Sequence, residues 1–319
     1  MGGTWATRLM ILAAGAALAA AAAPGSVDWA FPGASPAPAR PAKAGTEGLP
    51  GSKLRFSAAQ IADRSHAVDW RPASHAPAPP IVMQGRGPGG MACGYCHLPG
   101  GEGRPENAAL AGLPADYIAR QVADMRSGAR RPGKTGWGPG EFMQAVARAA
   151  SPADVTAAAR YFAAGRFISR VRVVERERIP AMAADGFVYR RAPGKATVLL
   201  GERIVEGPDD FARFELRDST LTYTAYAPPG SVARGAALAA SGGAGRTQPC
   251  GACHGARLEG AVGPPLAGRS PSYLLRQLYA FKAGTRRGGA GAPMTLVTAR
   301  LSTAEMIDLA AYAGSRPSP

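Results

Sequence analysis

The sequence has few of the residues that build most binding and catalytic sites. Its 319 residues include only four cysteines and four histidines, and aromatic residues make up 7%. After residue 23, no segment combines the length and the apolar composition of a membrane span. The main part of the chain is therefore expected to lie outside the bilayer.

Acidic residues are also scarce relative to basic ones. The chain has 37 Lys and Arg against 22 Asp and Glu, a formal net charge of +15. This excess favours acidic redox proteins or an anionic membrane surface as partners, although a basic composition without such a partner is the simpler alternative. No basic stretch is interleaved with aromatic residues, so no nucleic-acid partner is expected.

The first 23 residues have the pattern of a secretory signal peptide. They carry one charge, Arg8, followed by an apolar or small run over residues 9–23. This predicts export, and hence the periplasm. The alternative is an uncleaved N-terminal membrane tether, for which the run is slightly short of the roughly 17 to 25 residues of a membrane span.

All four cysteines fall in two motifs of one pattern. The motifs are Cys93-Gly94-Tyr95-Cys96-His97 and Cys250-Gly251-Ala252-Cys253-His254. This C-x-x-C-H pattern is the attachment sequence of c-type haem. Two thiols one helical turn apart form thioether bonds to one porphyrin, and the next imidazole ligates its iron. The sequence therefore predicts two covalently attached haem c groups.

Other chemistry would suit the cysteines alone. Zinc ribbons place their two cysteine pairs close together, whereas Cys250 lies 157 residues after Cys93. Disulfides and thioredoxin-like redox pairs also use C-x-x-C. None of these requires a histidine directly after the second cysteine of both pairs, and this favours haem.

The segments after the two motifs are similar to each other. Residues 111–121 align without a gap with residues 267–277. The identical pairs at this offset of 156 include Tyr117 with Tyr273, Arg120 with Arg276, and Gln121 with Gln277. The chain is therefore predicted to contain two copies of one haem-binding unit.

The repeat also distinguishes the methionines. A c-type haem of this kind usually takes a thioether sulfur as its second axial ligand. Met143 aligns with Met294 at an offset of 151. The other candidates do not recur as methionine: Met125 aligns with Phe281, and Met306 with Val155. We therefore expect Met125 and Met306 to be core residues.

Together these motifs resemble those of dihaem class I cytochromes c, in which two cytochrome c domains are fused in tandem. The resemblance covers residues from about 80 to 165 and from about 228 to 316. It implies a mainly α fold with two axial ligand pairs, His97 with Met143 and His254 with Met294. Residues that would either contact haem propionates or simply pack are Tyr117, Arg130, Trp137, Tyr273 and Arg286.

The resemblance further implies that a proline carbonyl, near Pro264 or Pro265, accepts the ring N–H of the proximal histidine. The first unit has Ala108 where the repeat places Pro264. We expect the Ala108 carbonyl to be held less rigidly, and the two haems to differ in potential.

The remaining segments give the domain organisation. The predicted parts are a signal peptide (1–23), a Pro/Ala-rich lead (24–79, flexible over 24–52), cytochrome c domain 1 (80–166), a β-rich insert (167–227) and cytochrome c domain 2 (228–319). β-branched and aromatic runs predict four or five strands in the insert, which serves either as a spacer or as a docking surface. His66 and His75, in the lead, are expected at the surface.

Two methionine ligands would leave neither iron an open position, and this favours electron transfer over catalysis. The predicted function is to carry electrons between periplasmic dehydrogenases or respiratory complexes and a terminal acceptor. The alternatives are a dihaem peroxidase and a cytochrome subunit of a periplasmic dehydrogenase or oxidase complex.

The first prediction concerns the number of haems. After denaturation the purified protein should retain two covalently bound haems, because thioether bonds survive unfolding. Mass spectrometry and a haem-stained gel measure this directly. A colourless protein that contains zinc, or one with four titratable thiols, would contradict the haem interpretation of both motifs.

Overall fold

The computed structural model describes residues 27–33, 45–87 and 90–319, so the predicted signal peptide lies outside the described residues. Helix accounts for 42% of the described residues and strand for 14%, in agreement with a mainly α fold. Within the described ranges, none of the helices has the length and apolar character needed to cross a membrane.

The N-terminal segment forms a small structure of its own. It consists of an antiparallel strand pair followed by a short helix: β1 (Thr46–Gly48), β2 (Arg55–Ser57) and α1 (Ala58–Ala62). Ser57 and Gln60 form a capping box that starts α1. Ile61 and Trp70 are buried in the core of this segment.

The first helical unit follows and contains the first C-x-x-C-H motif. Its helices are α2 (Pro80–Met83), α3 (Cys93–His97), α4 (Ala115–Ser127), α5 (Gly138–Ala149) and α6 (Pro152–Ala164). Ser151 and Asp154 form the capping box of α6, with proline at the first helical position. Val82, Ile118 and Phe162 are buried in the core that these helices enclose.

The insert consists of short strands and one short helix. They are β3 (Val171–Glu175), β4 (Arg178–Pro180), β5 (Met182–Asp185), β6 (Val188–Arg191), β7 (Thr197–Leu199), β8 (Val205–Pro208), α7 (Phe211–Glu215) and β9 (Tyr223–Ala227). The sheet order is β3-β9-β8, in which β3 is parallel to β9 and β8 is antiparallel to it. β4 with β7 and β5 with β6 form separate antiparallel pairs.

The second helical unit contains the second motif. Its helices are α8 (Ser231–Gly245), α9 (Gly251–His254), α10 (Pro271–Lys282), α11 (Ala292–Ala299) and α12 (Thr303–Ser315). The regular part of α8 ends before Gly242, where the backbone becomes left-handed. Ser302 and Glu305 form the capping box of α12. Met306 is 1% exposed, as expected of a core residue.

The lead is not flexible throughout. Trp29 and Phe31 are buried in the core of the second unit, and the Phe31 ring lies 5.5 Å from the ring of Trp137 and 5.9 Å from that of Tyr279. The prediction of a flexible segment is thus wrong for residues 27–33. The burial of two large aromatic side chains there outweighs the Pro/Ala-rich composition around them.

The second prediction tests the crossing of α8 and α12. A Cβ atom at Gly235 would lie 2.1 Å from the Asp308 carbonyl oxygen, so the two backbones approach too closely for a side chain. Gly235→Ala should lower the free energy of unfolding by about 1 to 3 kcal/mol, measured by chemical denaturation of the haem-loaded protein.

Gly289→Ala is the matched control, because a Cβ there meets nothing within 4 Å. It should change the unfolding free energy by less than about 0.5 kcal/mol. Equal effects of the two substitutions would show that the close crossing of the two helices is not a requirement.

Candidate haem sites

Both C-x-x-C-H motifs fold as single helical turns that end at the histidine. The backbone leaves the helix immediately afterwards, at Leu98 (φ 63°) and Gly255 (φ 83°). The four thiols are free. Burial raises the pKa of Cys93 to about 12, so this thiol is protonated at neutral pH. Among the described residues, no three His, Cys, Asp or Glu side chains gather where they would hold one metal ion.

Each motif histidine is held through one ring nitrogen. His97 Nδ1 donates to the Ala108 carbonyl at 2.7 Å, and His254 Nδ1 donates to the Pro264 carbonyl at 2.8 Å. This leaves Nε2 with its lone pair, as an iron ligand requires. Burial lowers the pKa of both imidazoles and favours the neutral form, although the hydrogen bonds act in the opposite direction. The Ala108 bond is as short as its counterpart, so its geometry gives no sign of the looser hold expected in the first unit.

A cavity adjoins the first motif. It is lined by side chains of the motif helix, of α4 to α6, and of α10 from the second unit. Its volume of about 170 Å³ is roughly ten times the 10 to 15 Å³ that one water needs. Cys93, Cys96 and His97 line it, and so do Arg130 and Tyr273. A cavity with thiols and imidazole together with cationic and phenolic groups fits a haem with two propionates.

The set of methionines that line the cavity is larger than the repeat predicts. Met143 lines the cavity together with His97, but so do Met125 and Met91. The repeat predicts Met125 in the core, and it gives no signal for Met91, which precedes the aligned segment. In the second unit, Met294 lies partly exposed on α11. The ligand roles of Met143 and Met294 stay predictions.

Two arginines meet where the units join. Arg130 and Arg286 form an antiparallel bridge, in which Arg131 N donates to Thr285 O and Arg287 N to Ala129 O. Each guanidinium bonds the glutamine of its own unit and the glutamine and tyrosine of the other. The bonds run from Arg130 to Gln121 (2.8 Å), Gln277 (2.8 Å) and Tyr273 (3.1 Å), and from Arg286 to Gln277 (3.1 Å), Gln121 (2.7 Å) and Tyr117 (2.9 Å). We call these six side chains the arginine network.

The arginine network holds two buried positive charges close together. Arg130 is 9% exposed and Arg286 is 7% exposed. Neither forms an ion pair with a carboxylate within the described ranges. Burial and the charge of Arg130 lower the pKa of Arg286. Buried charges are normally paired, so an anionic group brought by a cofactor would suit this place.

The histidines of the lead differ from each other. His66 is exposed, as expected. His75 was expected at the surface and is instead half-buried: its Nε2 lies 3.1 Å from Asp69 Oδ2, and its Nδ1 lies 2.9 Å from the Tyr161 hydroxyl oxygen. The contact with Tyr161 attaches the lead to α6.

Comparison with known proteins identifies the family. A family model described as Cytochrome c matches residues 232–315. Cytochrome c-554(548) of Halomonas halodenitrificans is 39% identical over 69 residues, which cover 21% of this chain and 83% of that protein. The thiosulfate dehydrogenase electron acceptor of Stutzerimonas stutzeri is 29% identical over 235 residues, which cover 72% of this chain and 80% of that protein.

Among solved structures, reduced recombinant cytochrome c4 from Pseudomonas stutzeri is similar, with 21% identity and a TM-score of 0.46 over 70% of this chain and 93% of that chain. The chain belongs to the cytochrome c family, and so carries covalently bound haem c. The prediction of an electron-transfer cytochrome is thereby confirmed.

The third prediction tests the axial methionines. Met143→Ala or Met294→Ala should remove the thioether from one iron, lower the potential of that haem, and let carbon monoxide or cyanide bind there. Met125→Ala should lower stability by no more than about 2 to 5 kcal/mol and leave both irons low-spin. Optical and electron paramagnetic resonance spectra of each variant distinguish these results.

If Met125→Ala or Met91→Ala opened an iron while Met143→Ala left both spectra unchanged, the ligand of the first iron would have to be reassigned. All three side chains line the same cavity, so each variant removes a thioether from one compartment.

Proposed function

We propose that this chain is an exported dihaem c-type cytochrome that carries electrons between a periplasmic dehydrogenase and a further acceptor. The observation that carries the proposal is that both C-x-x-C-H helices hold their histidine rings by a backbone carbonyl, in two helical units joined by one buried network. Each unit, within residues 80–166 and 228–319, would be one cytochrome c domain.

The residues of the first unit suit one haem. Cys93 and Cys96 would bind it covalently, and His97 and Met143 would be the protein ligands of its iron. Bound haem c supplies a one-electron iron couple. The Ala108 carbonyl holds the His97 ring, and apolar side chains of α4 to α6 line the cavity that would receive the haem. In the second unit, Cys250, Cys253, His254 and Met294 would have the same roles.

The arginine network would receive the haem propionates. Arg130 and Tyr273 line the first cavity although they belong to different units. The cations would compensate the propionate charge, and the propionates would relieve the repulsion between the two guanidiniums. Both haems would then present their polar edges to the same interface, which favours electron exchange within the chain.

The methionines of the first cavity suit an electron carrier better than an enzyme. A dihaem peroxidase needs an open iron, whereas the first cavity has three methionines that could close it. The peroxidase and the cytochrome subunit of a dehydrogenase or oxidase complex remain the alternatives, and the experiment below distinguishes the first of them.

The relatives suggest the class of partner. Proteins named thiosulfate dehydrogenase electron acceptor cover most of this chain, which supports a periplasmic dehydrogenase as electron donor. The N-terminal pattern of residues 1–23 supports export. The net charge of +15 supports an acidic docking surface on the partner, or association with an anionic membrane surface.

The fourth prediction tests this function. When the oxidised protein is mixed with thiosulfate and a purified thiosulfate dehydrogenase, each chain should accept two electrons. In a separate assay with added hydrogen peroxide, the protein should not turn the peroxide over. The bimolecular rate should fall steeply with salt if basic side chains steer docking, because the Debye length shrinks from about 10 Å at 0.1 M to about 3 Å at 1 M. Stopped-flow absorbance measures both quantities.

Uptake of one electron per chain would contradict the dihaem proposal, and rapid peroxide turnover would favour the peroxidase. A rate that does not depend on salt would show that the basic charge has no part in docking. Reduction of the oxidised protein by a small-molecule reductant without net charge serves as the control, since the rate of that reaction should not respond to salt.

A further inference from the structure

Arg269, which precedes α10, bonds backbone carbonyls of both units. It is 5% exposed. Nε donates to Pro265 O at 2.8 Å, Nη1 to Ala109 O at 2.7 Å, and Nη2 to Ala111 O at 3.2 Å. The guanidinium also lies over the Phe167 ring, 4.3 Å from its centroid. Burial lowers the pKa of Arg269 to about 10, so the group stays cationic at neutral pH.

The carbonyls that Arg269 binds adjoin those that hold the histidines. Ala109 follows Ala108, whose carbonyl accepts from His97. Pro265 follows Pro264, whose carbonyl accepts from His254. A single guanidinium therefore ties together the two loops that orient the two imidazoles. Its planar fork of five donors suits three acceptors on two segments, which the point charge of a lysine would not satisfy.

The two loops differ in how they are held. The second has two consecutive prolines, whose fixed φ angles restrict its backbone. The first has Ala108 and Ala109 at these positions, and it is bonded from the second unit by Arg269, and by Arg276 at the Pro105 carbonyl. Arg269 aligns with Leu113 at the offset of 156, so the first unit offers no equivalent in return.

We infer that Arg269 is a positioning residue for the first iron: it fixes, from the second unit, the loop whose carbonyl at Ala108 orients the His97 ring. It does for the first loop what the prolines do for the second. The inference rests on the proposed function, because it takes His97 as an axial ligand. It makes the electronic properties of the first haem depend on an intact interface between the units.

The test uses Arg269→Lys in the full-length, haem-loaded protein. Lysine keeps the positive charge but cannot bind three separated carbonyls. In the reduced protein labelled with ¹⁵N-histidine, solvent exchange of the His97 Nδ1–H should become at least about tenfold faster, as expected for a lost hydrogen bond to a charged group. Exchange at His254 should change less. The potential of the first haem should rise, because a loosely held carbonyl makes the imidazole a weaker donor to the iron.

Ala108→Pro added to Arg269→Lys is the rescue variant. It introduces the residue found at the corresponding place of the second loop, and it should return the His97 exchange rate and the potential towards those of the parent protein. Arg276→Lys is the matched control, since Arg276 is equally buried at 4% exposed and bonds the same loop three residues before Ala108. It should lower stability without an equal change at His97.

Unchanged exchange at His97 in Arg269→Lys, or an equal acceleration in Arg276→Lys, would overturn the inference. If Arg269→Lys did not fold, Phe167→Leu would replace it: this variant removes only the ring beneath the guanidinium, and exchange at His97 should still rise relative to His254. Absence of any iron-ligand signature at His97 in the parent protein would instead refute the proposed function. The two failures are thus distinguishable.

Discussion

Arg130, Arg269, Arg276 and Arg286 are each less than one-tenth exposed where the two helical units meet. A cation taken out of water is stable only where acceptors surround it, and removing a partner from a buried charge costs about 3 to 5 kcal/mol. Here the acceptors are backbone carbonyls, glutamine amides and tyrosine hydroxyls, and each guanidinium takes at least one of them from the other unit. Separation of the units would leave all four charges without these partners.

This requirement links the interface to the haem sites. The cavity beside the first motif is closed on one side by Tyr273, Arg276 and Gln277 of the second unit. The imidazole of His97 is oriented by a loop whose neighbouring carbonyls are bonded from that unit as well. The insert takes part, because the buried Glu206 accepts hydrogen bonds from Ser270 Oγ and Ser272 N at the start of α10. Burial raises the pKa of this carboxyl group.

Local chemistry was predictable from the sequence, and long-range packing was not. The two motif helices and the serine caps of α6 and α12 depend on residues within one turn, and such local signals can be read from the sequence alone. The insert has seven short strands where four or five were expected, because strands of three residues, such as β4 and β7, are too short for a periodic signal. Arg269 could not be found from the repeat, since its partner position is Leu113 and its role exists only at the interface.

Residues that are identical in the repeat also occupy different environments. Arg120 is exposed and pairs with Asp116 on its own helix, while its counterpart Arg276 is buried and reaches the Pro105 carbonyl of the first unit. Arg269 likewise bonds the first unit, without a reciprocal contact from Leu113. The approximate symmetry of the arginine network therefore does not extend to Arg269 and Arg276. The second unit supports the loop that orients His97 in the first unit, whereas the loop that orients His254 is restrained by its own prolines. If each unit holds one haem, as proposed, the two irons would have different surroundings despite nearly identical sequence motifs. The difference in potential between them would then depend on side chains that neither motif contains.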